Sequence, residues 1–277
     1  MIITLRLKNI VIFVLILSVI ITSVAFVMAK DDGIAVPIIM YHSLLKNPSS
    51  SGRFVITPDE FEQDLVYLKE NGYTAITMAD LINYAQSDGN LPEKPVILTF
   101  DDGCYNNYVY GYPLVKKYDM KMVLSVVGSY AQQYSETNEE NANYSYLTWD
   151  RIKELNASGY AEIQNHSYDF HTINEKRNGS KKNYGESEEH YKKVFTEDTL
   201  KNQKLLKEKA GVTATTYTYP FGGISNDSIK LLQEMGFSAS LSCGEGINYI
   251  KKGDDLYSLK RFIRKHGEGV REILNRQ

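Results

Sequence analysis

Two adjacent carboxylates end an apolar run in Thr99-Phe100-Asp101-Asp102-Gly103. Side by side, such acids repel each other unless a cation neutralises one, so a metal ligand beside a general base is a physically sensible pairing. An Asp-Asp-Gly turn with helix-capping duty is the plain structural alternative. A second cluster, His166-Ser167-Tyr168-Asp169-Phe170-His171, holds two of the five histidines of the chain. At this spacing they cannot share a helix face, but a loop can turn both imidazoles onto one ion. With a carboxylate they complete a His-His-Asp set that leaves positions open for water and substrate.

These clusters need elements to carry them. Five short apolar or β-branched runs read as strands: Val36 to Met40, Val96 to Phe100, Met122 to Val127, Tyr160 to Gln164 and Thr215 to Tyr219. Between them lie helical patterns. Thr57 to Asn71 opens with the capping box Thr57-Pro58-Asp59-Glu60 and ends at Asn71-Gly72. The others are Tyr108 to Tyr118, Thr148 to Ser158, Glu197 to Ala210 and Asn226 to Met235. Strands alternating with helices of this length predict an α/β fold with a parallel sheet wound into a distorted (β/α) barrel. The stretch Asn174 to Lys193, rich in Lys, Glu, Asn and Gly, reads as a surface insertion. Tyr41-His42, Asp101-Asp102, Asn165-His166 and Pro220-Phe221 each follow one of the strands. In barrels of parallel strands the active site is built at the C-terminal strand ends, so all four would gather on one rim.

The 277 residues are 43% hydrophobic and 23% charged, enough apolar material for a core. The formal net charge of -3 excludes the basic signature of a nucleic-acid binder. Two cysteines, Cys104 and Cys243, exclude a disulfide scaffold and a Cys-rich zinc site, and read as free thiols. The 21 tyrosines are scattered along the chain and point to no particular function. Arg6 and Lys8 precede an apolar run from Ile10 to Ala29 that holds no charged residue and is long enough to cross a bilayer. Its basic flank would stay in the cytoplasm and deliver everything after Lys30 outside. Val27-Met28-Ala29 fits a cleavage site, which would secrete the domain. The length of the run favours an uncleaved anchor, hence a single-pass membrane protein with residues 1–30 as anchor and 31–277 as an extracellular domain.

TFDDG, HSYDFH and YPFG, in this order, resemble the motifs of the polysaccharide deacetylases, carbohydrate esterase family four with its NodB-homology domain. The likeness runs from about Val36 to Arg264 and includes the opening PIIMYHSL and the late LKRF. It implies that Asp102, His166 and His171 hold a divalent metal, commonly zinc, with Asp101 as general base and metal-bound water as nucleophile. Ser167 would orient the histidine loop and, with Tyr219 and Pro220, line the substrate groove. The backbone N–H of Phe221 would stabilise the oxyanion. Expulsion of the amine needs a proton, and His is the usual donor. His42, directly after a strand, is the expected one and His266 the fallback, because the Leu-x-His motif of many members is absent. An early Tyr-His and the wider histidine spacing are similar to a permuted branch that includes poly-N-acetylglucosamine deacetylases. Common members carry an Arg where this chain has Thr218, and Arg261 is the candidate to replace its charge beside Asp101.

The resemblance therefore implies a monomeric hydrolase that removes N-acetyl (or O-acetyl) groups from a cell-wall or extracellular polysaccharide. A His-His-Asp set accepts cobalt, nickel, iron or manganese as well as zinc. Neither H-E-x-x-H nor G-x-S-x-G occurs, against a zincin protease or a serine esterase. The remaining alternative is a catalytically silent module that grips a glycan on the same fold. Asp101 argues against it, since holding a metal does not require that second acid.

Overall fold

The computed structural model describes residues 33–174 and 177–275. The apolar run Ile10–Ala29 lies outside them. Among the described residues no helix is long and apolar enough to cross a membrane.

Nine strands form one parallel sheet: β1 (Ile38–Tyr41), β2 (Thr74–Ala75), β3 (Pro95–Phe100), β4 (Met122–Val126), β5 (Ala161–Asn165), β6 (Thr216–Thr218), β7 (Ala239–Leu241), β8 (Leu256–Leu259) and β9 (Phe262–Ile263). Their order is β8-β7-β6-β5-β4-β3-β1-β9, with β2 beside β3. Period-two alternation sorts their side chains. On β3, Val96, Leu98 and Phe100 join a large cluster with helix residues such as Phe61, Leu65, Val115, Ile152 and Phe195. Ile97 faces the other way and joins a second cluster with Ile38, Val123, Ala239, Leu241 and Leu256. Strands from both halves of the sheet thus touch across the inner face, which only a strongly curled sheet permits. The barrel is nevertheless open. β8 and β9 are its two edges and do not pair, although only Lys260 and Arg261 separate them in the chain.

Between the strands lie α1 (Pro58–Glu70), α2 (Met78–Gln86), α3 (Tyr112–Tyr118), α4 (Gly128–Thr137), α5 (Trp149–Ala157), α6 (Glu188–Ala210) and α7 (Ser228–Glu234), and α8 (Val270–Leu274) follows the last strand. The capping box of α1 forms as expected: Thr57 and Glu60 each bind the other's backbone N–H. The insertion read at Asn174–Lys193 is corrected. α6 begins at Glu188, nine residues earlier than expected, because Ser187 caps it, and its first turns bury Tyr191. Ser180, ahead of it, is buried as well. The last three strands, together with α2 and α4, carried too short or too polar a pattern to be read from the sequence. The two cysteines are free, Cys104 half-buried and Cys243 exposed.

Candidate active site and metal centre

Thr99 points to the inner face, so Asp101, two residues on, points there too. Arg261 enters at the gap between β8 and β9 and is fully buried. Its guanidinium meets both Asp101 oxygens at 2.8 Å, and its Nε donates to the Ser242 carbonyl at 2.8 Å. Burial alone would raise the Asp101 pKa, but the Arg261 charge and hydrogen bonds outweigh it and hold the carboxyl below its usual value. Asp102 (φ 71°) and Gly103 (φ 74°) are both left-handed, which turns the chain sharply off the strand and sets Asp102 against the histidine loop.

That loop leaves the end of β5. His166 Nδ1 lies 2.8 Å from the Thr218 carbonyl, which can only accept, so Nδ1 carries the hydrogen and Nε2 presents a lone pair. The Tyr130 hydroxyl donates to the His171 carbonyl and lies 3.3 Å from His171 Nδ1, which leaves Nε2 of that ring free as well. Both Nε2 atoms face Asp102 Oδ1, at 3.4 Å for His166 and 3.0 Å for His171. The three donor atoms lie within 4.8 Å of one another. Asp102 Oδ1 is buried, and no well-aligned hydrogen bond reaches it. Two imidazole nitrogens oriented through their opposite ring atoms, together with an unsatisfied carboxylate oxygen, fit a divalent cation.

His42 follows β1, its backbone carbonyl held by Asn107 Nδ2 at 2.7 Å. Its Nε2 lies 4.0 Å from Asp101 Oδ2. Burial lowers the His42 pKa, with Asp101 and Asp102 pulling the other way. His42, Asp101, Asp102, His166 and His171 line one cavity of about 500 Å³, which Arg53, Phe54, Phe221, Cys243 and Glu245 also border. Phe54 and Phe221 are 48% and 46% exposed, and their rings lie 4.8 Å from His42 and 4.4 Å from His171.

Asp101, Asp102, His166, His171, His42, Arg261 and Phe221 therefore come together. His266 does not: it is exposed and paired with Glu60 at 2.9 Å, outside the cavity. Tyr219, Pro220 and Ser167 were expected to touch substrate, and burial corrects this. Tyr219 instead packs on Tyr217 and bonds Ser228, and Ser167 Oγ receives the Phe170 N–H. Phe221 takes a left-handed conformation (φ 54°) ahead of Gly222. A Cβ on Gly222 would sit 2.9 Å from that of Cys243, so only glycine lets these two walls meet. Cys243 and Glu245 follow β7, and the rule that polar residues after strands mark the rim would have found them had that strand been read. Arg53 and Phe54 carried no such signal.

A family model described as polysaccharide deacetylase matches residues 88–240, more than half of the chain, and leaves His42 and Arg261 outside the match. The Bacillus subtilis protein YxkH, whose name places it among polysaccharide deacetylases, is 28% identical over 225 residues, covering 81% of this chain and 70% of that one. The poly-beta-1,6-N-acetyl-D-glucosamine N-deacetylase of Escherichia coli is 23% identical over 254 residues, covering 85% of this chain but 37% of the longer protein. Among solved structures, IcaB from Ammonifex degensii superposes with a TM-score of 0.69 at 26% identity, over 84% of this chain and 93% of that one.

Proposed function

The chain belongs to the polysaccharide deacetylase family and is a hydrolase of that class, and we propose that it removes N-acetyl groups from an extracellular poly-N-acetylglucosamine-type polymer with the help of a divalent cation, zinc by preference. The observation that carries this reading is the convergence of Asp102, His166 and His171 on one point, with a second carboxylate, Asp101, beside them. The name of the Escherichia coli relative supports the polymer. In this reading the apolar run Ile10–Ala29 holds the chain in the cell membrane with the domain outside.

Asp102, His166 and His171 would hold the cation, which when bound supplies Lewis acidity to the acetamide carbonyl. Arg261 keeps Asp101 ionised at neutral pH, so Asp101 accepts a proton from the attacking water. His42 stands 4.0 Å from Asp101 Oδ2. Burial makes its imidazolium hold a proton loosely, so His42 delivers one to the departing nitrogen. The backbone N–H of Phe221 donates to the oxygen on which charge develops. Water and the amide become acetate and a free amine. Phe54 and Phe221 offer apolar faces to the sugar at the cavity mouth.

The test is acetate release by the full chain from purified poly-β-1,6-N-acetylglucosamine, measured before and after chelation and again after zinc is restored. Activity that is lost and then regained is expected. No acetate under any of these conditions overturns the substrate, and undiminished activity in chelator overturns the cation.

A further inference from the structure

Five consecutive backbone N–H groups run through the histidine loop, and only the first stays within the sheet: His166 N–H donates to the Val126 carbonyl at 3.1 Å. The next four end on side chains. Ser167 donates to Asn165 Oδ1 at 2.8 Å, Tyr168 to Asp198 Oδ1 at 2.8 Å, Asp169 to Asp198 Oδ2 at 2.8 Å and Phe170 to Ser167 Oγ at 3.2 Å. No regular element therefore sets the spacing between the two imidazoles; a few side chains do.

One helix supplies one of these anchors and braces another. Asp198 holds two adjacent amides with one carboxylate. One turn further along α6, Asn202 Nδ2 donates to Asn165 Oδ1 and to the Val126 carbonyl, both at 3.0 Å. The helix also lays Lys201 Nζ 3.5 Å from the centre of the Tyr168 ring. From the other side, the first amides of α4 hold the loop carbonyls: Gly128 donates to Ser167 at 3.0 Å and Ser129 to Tyr168 at 2.8 Å. A Cβ on Gly128 would lie 2.4 Å from Asn202 Oδ1 and 2.9 Å from the Tyr168 ring, so the loop is pressed between α4 and α6.

We infer that Asp198 is a positioning residue of the metal centre: by gripping the amides of Tyr168 and Asp169 it sets where His171 stands relative to His166 and Asp102. The inference rests on the metal centre proposed above and deepens it. A carboxylate is suited to the task because both its oxygens accept, whereas an amide side chain brings one acceptor. Folding stability alone does not account for it. Burial raises the Asp198 pKa to about 6 although two amide donors pull it down, so the ionised group is a net cost to the folded state at neutral pH.

The experiment measures zinc affinity of the full chain and of Asp198→Asn and Asp198→Ala by competition with a chromophoric chelator, and denaturant unfolding of all three in excess chelator. Asp198→Asn is expected to weaken zinc binding about 10- to 100-fold, the range seen when outer partners of metal ligands are removed, without lowering the stability of the metal-free chain. Asp198→Ala should weaken it at least as much. An unchanged zinc dissociation constant in Asp198→Asn overturns the inference, as does a loss of affinity matched by an equal loss of metal-free stability. If Asp198→Ala fails to fold, the nearly isosteric Asn variant decides alone. Failure of the unaltered chain to bind zinc overturns the metal centre itself, an outcome distinct from an unchanged constant.

Discussion

The guanidinium of Arg261 grips both oxygens of Asp101 at 2.8 Å, although 160 positions separate the two residues. Both are buried, and the arginine arrives through the seam where the barrel fails to close. A sheet closed by β8–β9 pairing would have no such entry. The open edge and the charged pair are therefore one design: the gap admits the cation that keeps the inner carboxylate ionised.

Removing one member of such a pair strands the other. Arg261→Ala should destabilise the chain by about 3–5 kcal/mol, the usual cost of an uncompensated buried charge. Arg261→Lys keeps a charge but not the two-point geometry, and should fold with acetate release reduced at least about tenfold. Denaturant unfolding and acetate assays on both variants check this; wild-type stability in Arg261→Ala would show that the pair is not what holds Asp101.

Proton handling and metal holding fall on different residues and should separate by mutation. Asp101→Asn and His42→Ala are expected to lower kcat about 10²- to 10⁴-fold while bound zinc stays near one per chain. His166→Ala should lose the metal as well as the activity, since His166 Nε2 faces Asp102 Oδ1. Elemental analysis after dialysis reads the metal, and zinc retained by His166→Ala would mean that the ligand set is misassigned.

Much of the rim was legible in the sequence, and the reasons are local. His42 and Asp101-Asp102 each sit just after an apolar strand and His166 just after a strand that alternates apolar with polar residues, and the strand's own alternation fixes which way its end residues point. Arg261 was reachable only through resemblance, because the strands flanking it have four and two residues and no periodic signal. Asp198 and Asn202 were not legible at all. They belong to a 23-residue helix crowded with Lys and Glu, where a carboxylate reads as part of a solvated face until the fold lays the histidine loop on it. Tyr219 failed in the opposite direction: its place in a recognised motif suggested substrate contact, but its side chain points into the packed face.

Phe54 should matter for substrate rather than for chemistry. It is half exposed at the cavity mouth and touches His42 only edge-on. Stacking of this kind is worth about 0.5–1.5 kcal/mol, so Phe54→Ala should raise KM roughly 2- to 10-fold with kcat within about twofold. Phe54→Tyr should restore KM. Steady-state kinetics on a defined N-acetylglucosamine oligomer decide it, and a fall in kcat alone would assign Phe54 to holding His42 instead.

The buried Asp198 carboxyl also predicts how stability depends on pH. Its folded pKa, about 6, lies above the 3.8 of the free group because burial disfavours the charge. Between these two values the folded chain binds the proton more tightly than the unfolded chain, so this group's contribution to stability declines as pH rises from about 4 to 7, by up to about 3 kcal/mol. Glu60 acts in the opposite sense: burial is outweighed by its hydrogen bonds to Thr57, His266 and Gly267, which hold its pKa at about 2. That contribution is common to wild type and an Asp198 variant and cancels when the two are compared. Asp198→Asn, with no proton to lose, should therefore gain on the wild type as pH is raised from 4 to 7. Urea unfolding of both chains in chelator across this range measures the difference. A gap between them that stays constant, or that widens in favour of the wild type, would show that the Asp198 charge costs the fold nothing.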